Sequence, residues 1–103
     1  MCGIFCVFDK YSRLKNSKKV INYAFESMKH RGPDFQKLIF KNDWIIGHAR
    51  LSIIDTSDFA NQPFTKNNRH YLIFNGEIYN FKKLRKKIIN DETLFTTNSD
   101  TEV

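Results

Sequence analysis

The first third of the chain contains one apolar run and one amphipathic stretch. The run GIFCVF, residues 3–8, is rich in Ile, Val and Phe and predicts a buried strand. After a polar segment, apolar side chains recur at helical spacing from Ser17 to Lys29, which predicts a helix with Ser17 as its N-cap. The members of that stripe are Val20, Ile21, Ala24, Phe25 and Met28. Gly32 and Pro33 follow and supply the usual break after a helix.

The middle of the chain carries further strand-like runs. KLIF, residues 37–40, and WIIGHARL, residues 44–51, are separated by three polar residues, which predicts a β-hairpin. The segment TSDFANQPF predicts a loop, and HYLIF, residues 70–74, predicts another strand. Residues 93–103, TLFTTNSDTEV, predict the edge of a strand followed by a polar turn.

A second helix is predicted directly after the segment NGEIYN. Phe81, Leu84 and Ile88 recur at helical spacing, with Asn80 as the candidate N-cap. Strands and helices are thus mixed without regular βαβ alternation, which favours the α+β class. Because GIFCVF and YLIF are apolar at nearly every position, we expect a sheet that is covered on both faces. A chain of 103 residues has few elements for that purpose, so we expect part of the domain to be missing.

Composition and charge narrow the function classes. A hydrophobic content of 41% with 15% aromatic residues indicates a globular domain. No apolar run approaches the length of a membrane span, and the N-terminus lacks the pattern of a signal peptide, so a cytoplasmic protein with no membrane partner is expected. The net charge is +6, and KKLRKK, residues 82–87, contributes much of it. This run could bind nucleic acid or form a solvated helix face, and we favour the solvated face.

The two cysteines, Cys2 and Cys6, do not form a disulfide framework. If the first run is a strand, four residues separate the two on one face by roughly 13 Å, too far for a bridge. A CxxxC pair with three scattered histidines is also a poor match to zinc-ligand spacings, so no metal site is expected.

Cys2 has a second interpretation as a nucleophile. Methionine is commonly removed when a small residue follows it, which would leave a thiol and a free α-amine on Cys2. An α-amine with a reference pKa of roughly 7.7–8.0 can accept a thiol proton near neutral pH. Such a residue would combine the nucleophile and the base that covalent catalysis needs. Cys2 alone leaves open whether it is a nucleophile or a buried strand residue.

Five other positions could complete a site for acyl transfer. Asn75 and Gly76 end an apolar strand but precede a helix, so in place of a hairpin turn they could offer two neutral donors to an oxyanion. Arg50 could clamp a carboxylate, although an arginine beside apolar strand residues is more often half-exposed at a sheet edge. Asp100 could bind an ammonium group with the help of Glu77, or serve only as a turn residue.

Six motifs in this order and spacing resemble one known family. They are MCGIF, HRGPD, RLSIID, NQPF, NGEIYN and SDTEV. Together they are similar to the N-terminal glutaminase domain of class II glutamine amidotransferases, of the asparagine synthetase (glutamine-hydrolysing) type. The resemblance covers essentially the whole chain and implies an N-terminal nucleophile (Ntn) hydrolase fold, an αββα sandwich of antiparallel sheets. Residues 1–103 would then be the N-terminal portion of this glutaminase domain, without the C-terminal synthetase domain.

The resemblance also implies roles for individual residues. Cys2 would be the nucleophile, and Asn75 and Gly76 would form the oxyanion hole. Arg50 would hold the α-carboxylate of glutamine, while Glu77 and Asp100 would hold its α-ammonium group. Backbone groups of four further residues would line the pocket: Leu51, Ser52, Ile53 and Ile54. The implied reaction is attack of the thiolate on the side-chain amide, release of ammonia and hydrolysis of the glutamyl thioester.

In the family, the ammonia passes to a synthetase domain that joins it to aspartate activated with ATP and magnesium. No cofactor is therefore expected in this segment, and a homodimer is possible for full-length members. The sequence departs from the family pattern in two respects: Cys6 replaces the usual glycine of CGIFGVF, and the chain stops at Val103. Two alternatives follow, an inactive remnant or binding module, and a small basic domain that binds nucleic acid.

Overall fold

A computed structural model describes residues 1–11, 13–14, 16–89 and 94–103. The regular elements, in chain order, are β1 (Gly3–Phe8), α1 (Lys18–Glu26), β2 (Phe35–Phe40), β3 (Trp44–Arg50) and α2 (Phe81–Ile88). Three short 3₁₀ helices are added to these: Lys29–Arg31, Asp58–Ala60 and Asp100–Glu102. One antiparallel sheet with helices beside it is an α+β arrangement, as predicted.

The sheet has the strand order β1-β3-β2, with both pairs antiparallel. The predicted hairpin is confirmed, and it closes where the Lys41 N–H donates to the Trp44 carbonyl at 2.9 Å. β3 is the central strand, and its residues from Ile45 to Arg50 are all buried. Because Gly3 lies opposite Ala49, the beginning of β1 and the end of β3 meet at one end of the sheet.

Helix α1 packs on one face of this sheet. Phe25 is buried and lies edge-on to Phe5 of β1, with ring centroids 5.8 Å apart. A Cβ on Gly47 would lie 2.8 Å from the Phe25 ring, so this glycine allows the helix to approach β3 closely. The predicted stripe is only partly buried, because Val20 and Ala24 are exposed. The helix also ends at Glu26, three residues earlier than predicted, and a 3₁₀ turn takes its place.

The expectation of a sheet covered on both faces holds for β3 and fails for β1. Phe8 is 81% exposed and Ile4 is 49% exposed, and Cys6 between them is also exposed. These three side chains alternate along β1 on the face that α1 does not cover. Within the described ranges, β1 therefore presents an apolar strip to solvent.

The predicted strand over residues 70–74 is wrong. This segment makes a single isolated bridge, in which Phe64 and Leu72 exchange hydrogen bonds. At Phe74 side chains replace the ladder partners, because its N–H donates to Gln62 Oε1 at 2.6 Å and its carbonyl faces His48 Nε2 at 3.3 Å. The apolar run thus belongs to a segment that is held by a side-chain amide and an imidazole and not by strand pairing.

The C-terminal prediction has two outcomes. Thr93 lies outside the described residues, and residues 94–103 contain no strand, so the predicted strand edge is wrong there. The carboxylate of Glu102 accepts the backbone N–H groups of Thr96 and Thr97 and folds the segment into a turn. The predicted polar turn is confirmed, and so is helix α2, although the Asn80 side chain makes no capping hydrogen bond.

Candidate functional site

A cavity of about 310 Å³ lies at the end of the sheet where β1 begins and β3 ends. Nine of the ten predicted site residues line it: Cys2, Arg50, Leu51, Ile53, Ile54, Asn75, Gly76, Glu77 and Asp100. The tenth, Ser52, is turned aside, and its N–H donates to Asp34 Oδ2 at 2.7 Å. A larger cavity of about 720 Å³ near the β2–β3 turn contains none of these residues. The structure thus gathers positions from four separate motifs around one space.

Cys2 reaches the cavity because β1 pairs with β3. The register places Gly3 opposite Ala49, so Cys2 lies beside the residues that follow the end of β3. The Leu51 N–H donates to Cys2 Sγ at 3.3 Å, and the thiol lies 3.6 Å from the Leu51 carbonyl oxygen. Both cysteines are free thiols, as predicted, and only Cys2 lines the cavity.

The HRGPD motif holds the two strand ends together. Arg31 Nε donates to the Cys2 carbonyl at 3.2 Å. The Asp34 N–H donates to the Arg50 carbonyl at 3.1 Å. Between them, Gly32 passes so close to β3 that an added Cβ would lie 2.1 Å from the Ala49 carbonyl oxygen. The motif thus positions the backbone of Cys2 and Arg50.

Arg50 is buried at the end of the central strand and is not half-exposed at a sheet edge, since only 7% of it is accessible. Its Nη1 donates to the Ser57 carbonyl at 3.0 Å and to Asn61 Oδ1 at 2.7 Å, and its Nη2 donates to the Asp55 carbonyl. Among the described residues, these bonds use three of the five donors of a guanidinium. The other two donors take part in none of these bonds, and Arg50 lines the cavity.

The Asn75–Gly76 segment does not form a hairpin turn, because α2 follows it. A Cβ on Gly76 would lie 2.6 Å from the Phe74 ring, so the glycine is needed for this close approach. Asn75, Gly76 and Glu77 are exposed at the mouth of the cavity.

Asp100 is 5% exposed, and its Oδ2 accepts the Ile78 N–H at 2.9 Å. The turn that carries it is held from α2, because Arg85 donates to the Thr97 carbonyl at 2.6 Å and to the Ser99 carbonyl at 2.9 Å. The guanidinium of Arg85, one of the six residues of KKLRKK, therefore points inward.

Two carboxylates outside the prediction also tie this turn in place. Asp55 Oδ2 accepts the Asn98 N–H at 2.7 Å, and hydrogen bonds from Ser57 and then from Asn98 hold the pKa of Asp55 below its ordinary value. Burial raises the pKa of Glu102, but hydrogen bonds from Thr96 and Thr97 outweigh it, and the net pKa is lowered. Both carboxylates are therefore ionised at neutral pH and accept backbone N–H groups.

His48 connects β3 to the segment that carries Asn75. It is fully buried, and since a carbonyl can only accept, Nε2 donates to the Phe74 oxygen at 3.3 Å. Its buried Nδ1 has no hydrogen-bond partner among the residues that the structure describes. Burial lowers the pKa of His48, the bond to Phe74 opposes this, and the nearby charge of Arg50 lowers it further. In the sheet register, His48 lies opposite the exposed Lys37 of β2.

A pH-dependent stability follows from this buried imidazole. Because the pKa of His48 is lower in the folded state, the unfolded chain binds more protons below about pH 6.5, and stability falls as the pH decreases through that range. In thermal unfolding scans between pH 7 and 5, His48→Gln, which keeps an N–H donor, should reduce the loss of Tm. The matched control is His30→Gln at an exposed histidine. An unchanged pH dependence in His48→Gln would contradict this expectation.

Several residues that line the cavity were not predicted as site residues. They are Met1, Asp55, Ala60, Gln62, Phe74, Tyr79, Ser99 and Thr101. Gln62 belongs to the motif NQPF, so the sequence contained a signal for it without indicating a role. Among the described residues, no group of three His, Cys, Asp or Glu side chains could hold a metal ion, and no helix is long and apolar enough to cross a membrane.

The sequence of the chain identifies the class of protein. The sequence pattern of the family described as "Glutamine amidotransferase domain" matches residues 1–103, and the chain belongs to this family.

The chain is also similar to individual curated proteins. It is 39% identical over 104 residues to asparagine synthetase B [glutamine-hydrolyzing] of Escherichia coli (strain K12), covering 100% of this chain and 18% of that protein. It is 36% identical over 106 residues to asparagine synthetase [glutamine-hydrolyzing] 1 of Bacillus subtilis (strain 168), covering 100% and 17%. A probable asparagine synthetase [glutamine-hydrolyzing] of Acanthamoeba polyphaga mimivirus is 43% identical over 91 residues, covering 84% and 16%. The chain thus spans less than a fifth of the length of these relatives.

Proposed function

We propose that residues 1–103 supply the cysteine-bearing part of a glutaminase domain with an Ntn hydrolase fold, and that Cys2 hydrolyses the side-chain amide of glutamine. The observation that carries the proposal is the cavity at the end of the sheet. A thiol, a buried guanidinium and a buried carboxylate surround it, together with the Asn75–Gly76 segment. These are the groups that a free α-amino acid with a side-chain amide requires.

Charge complementarity orients the substrate in this proposal. The two remaining donors of Arg50 bind the α-carboxylate of glutamine as a charge-assisted pair. Asp100, with Glu77 at the mouth of the cavity, binds the α-ammonium group. The side-chain amide then extends toward Cys2 Sγ, and its carbonyl oxygen lies near the Asn75 side-chain amide and the Gly76 N–H. The burial of Arg50 and Asp100 strengthens both ionic contacts relative to water.

The chemistry begins after Met1 is removed. Met1 also lines the cavity, so its loss enlarges the site and frees the α-amine of Cys2. That amine takes the thiol proton, and the thiolate attacks the amide carbon to form a C–S bond. Asn75 and Gly76 stabilise the oxyanion, and the protonated amine gives its proton to the departing nitrogen, which leaves as ammonia. Water then attacks the thioester, the amine accepts a proton from it, and glutamate and the free thiol are regenerated.

The relatives' names suggest the use of the ammonia. Since they are glutamine-hydrolysing asparagine synthetases, we propose that the ammonia serves ATP-dependent synthesis of asparagine from aspartate. The synthetase domain that binds ATP and magnesium would be formed by residues other than 1–103.

The test is ammonia release from glutamine. Because the chain spans 18% of the Escherichia coli relative, the assay uses the chain itself and a chimaera in which residues 1–103 replace the aligned segment of that relative. We expect the chimaera to hydrolyse glutamine but not N-acetylglutamine, which lacks the ammonium group, or glutamine methyl ester, which lacks the carboxylate. Equal rates with all three compounds would contradict the proposed binding mode. Saturable glutamine binding without ammonia release would indicate a binding module instead.

A further inference from the structure

The motif NQPF, residues 61–64, makes hydrogen bonds to several segments that line the cavity. Asn61 Oδ1 accepts from Arg50, as described above, and the next residue makes two further bonds. Gln62 is 7% exposed and lines the cavity. Its Oε1 accepts the Phe74 N–H at 2.6 Å, and its Nε2 donates to Thr101 Oγ1 at 3.1 Å. One buried amide therefore bridges two distant segments of the chain.

Both partners of this amide adjoin residues of the proposed site. Phe74 directly precedes Asn75, and Thr101 directly follows Asp100. We propose that Gln62 is a positioning residue that sets the distance between the oxyanion-binding segment and the ammonium-binding turn. The site would thereby select an amide of the length of glutamine over a shorter one. This inference rests on the proposed function of the cavity.

Gln62 matters for this distance because neither the segment at Phe74 nor the turn at Thr101 is held by strand pairing. Phe74 lies outside the sheet, and among the described residues around it the only β-bridge joins Phe64 and Leu72. Other links between the two segments lie farther along the chain: the Ile78 N–H donates to Asp100, and Arg85 of α2 donates to the Ser99 carbonyl. Without Gln62 the two segments would still be joined, and His48 would still bond the Phe74 carbonyl, but the bridge that sets Phe74 relative to Thr101 would be lost.

The chemistry of glutamine makes this distance matter. Its α-ammonium group and its side-chain carbonyl are separated by a fixed number of bonds, and asparagine is shorter by one methylene. A displacement of about 1 Å between a binding group and the reacting atom can cost about a hundredfold in rate. A rigid amide with one acceptor and one donor in fixed positions is suited to hold such a distance.

The experiment compares three single variants and the double variant Gln62→Met/Thr101→Val in the chimaera. Gln62→Met removes both bonds at similar volume, and Thr101→Val removes only the acceptor. Gln36→Met is the matched control, because Gln36 is half-buried and its amide donates to the Gly32 carbonyl at 2.7 Å, away from the cavity. The readouts are kcat and KM for glutamine and for asparagine, and Tm.

We expect Gln62→Met to lower kcat/KM for glutamine by roughly 10- to 100-fold and to reduce the preference for glutamine over asparagine. Thr101→Val should shift the preference in the same direction, and the double variant should be less than additive because the two residues share one bond. Gln36→Met should leave the preference unchanged even if its Tm falls.

A wild-type preference in folded Gln62→Met and Thr101→Val would overturn the inference, as would an equal shift in Gln36→Met. An inactive parent chimaera would count against the proposed function alone. In that case, amide hydrogen exchange decides the inference. Lost protection at Phe74 and in residues 99–101 of Gln62→Met would support it, and unchanged protection would overturn it.

Discussion

Replacing Cys2 by alanine should abolish ammonia release from glutamine in the chimaera, lowering kcat by at least about a thousandfold. The reason is that the proposed C–S bond cannot form without the thiol, whereas the α-amine of residue 2 alone cannot split the amide at a comparable rate. The proposed binding groups, Arg50 and Asp100, remain, so glutamine should still bind. The measurement is single-turnover ammonia release together with calorimetric titration of glutamine.

Cys6→Ala is the matched control for this substitution. Cys6 is exposed on β1 and is absent from the lining of the cavity, so its loss should leave kcat within about twofold, in the range of a neutral surface change. Ammonia release by Cys2→Ala at the parental rate would contradict the proposed nucleophile. If Cys6→Ala lost activity while Cys2→Ala kept it, Cys6 would be the reacting thiol.

Replacing Gly32 by alanine should have the largest effect on stability. The added Cβ would lie 2.1 Å from the Ala49 carbonyl oxygen and 2.4 Å from the Arg50 nitrogen, which are backbone atoms of the central strand. They cannot move aside without opening the end of β3. Overpacking of this kind costs at least about 2 kcal/mol, which corresponds to a loss of roughly 8–16 °C in Tm for a chain of this size.

Gly3→Ala provides the control for Gly32→Ala. Its added Cβ would meet the terminal methyl group of Met28 at 2.8 Å, and this flexible side chain can turn away. We therefore expect Gly3→Ala to lower Tm by clearly less than Gly32→Ala in the same thermal scan. Equal Tm values for Gly32→Ala and the parent would show that HRGPD does not pack against β3 as described.

Local periodicity was sufficient to predict the strands of the sheet and the two helices. β1, the β2–β3 hairpin and the two helices follow from runs of apolar residues whose spacing is decided within a few positions. Contacts distant in sequence decided the rest. Residues 70–74 have the pattern of a strand, but Gln62 and His48 take the hydrogen bonds that a neighbouring strand would make.

The gathering of the candidate site residues was predictable from the motifs, whereas the contacts that support these residues were not. Nine of ten expected residues line one cavity, because the motifs flank the ends of β1 and β3 and the turns that pack there. By contrast, no local pattern shows that Arg31 donates to the Cys2 carbonyl, or that Arg85 holds the turn before Asp100. Arg85 occurs within a basic run and is indistinguishable there from its solvent-exposed neighbours until the fold is known.

The central claim is that Cys2 forms a covalent bond with the glutamyl group of glutamine. Its most direct test is acid quenching of the chimaera during turnover, followed by mass spectrometry of the intact protein and of its N-terminal peptide. The account predicts a chain without Met1 whose Cys2 carries one glutamyl group, and no such group after Cys2→Ala. A parent that releases ammonia with Met1 retained, or with the glutamyl group on Cys6, would contradict it.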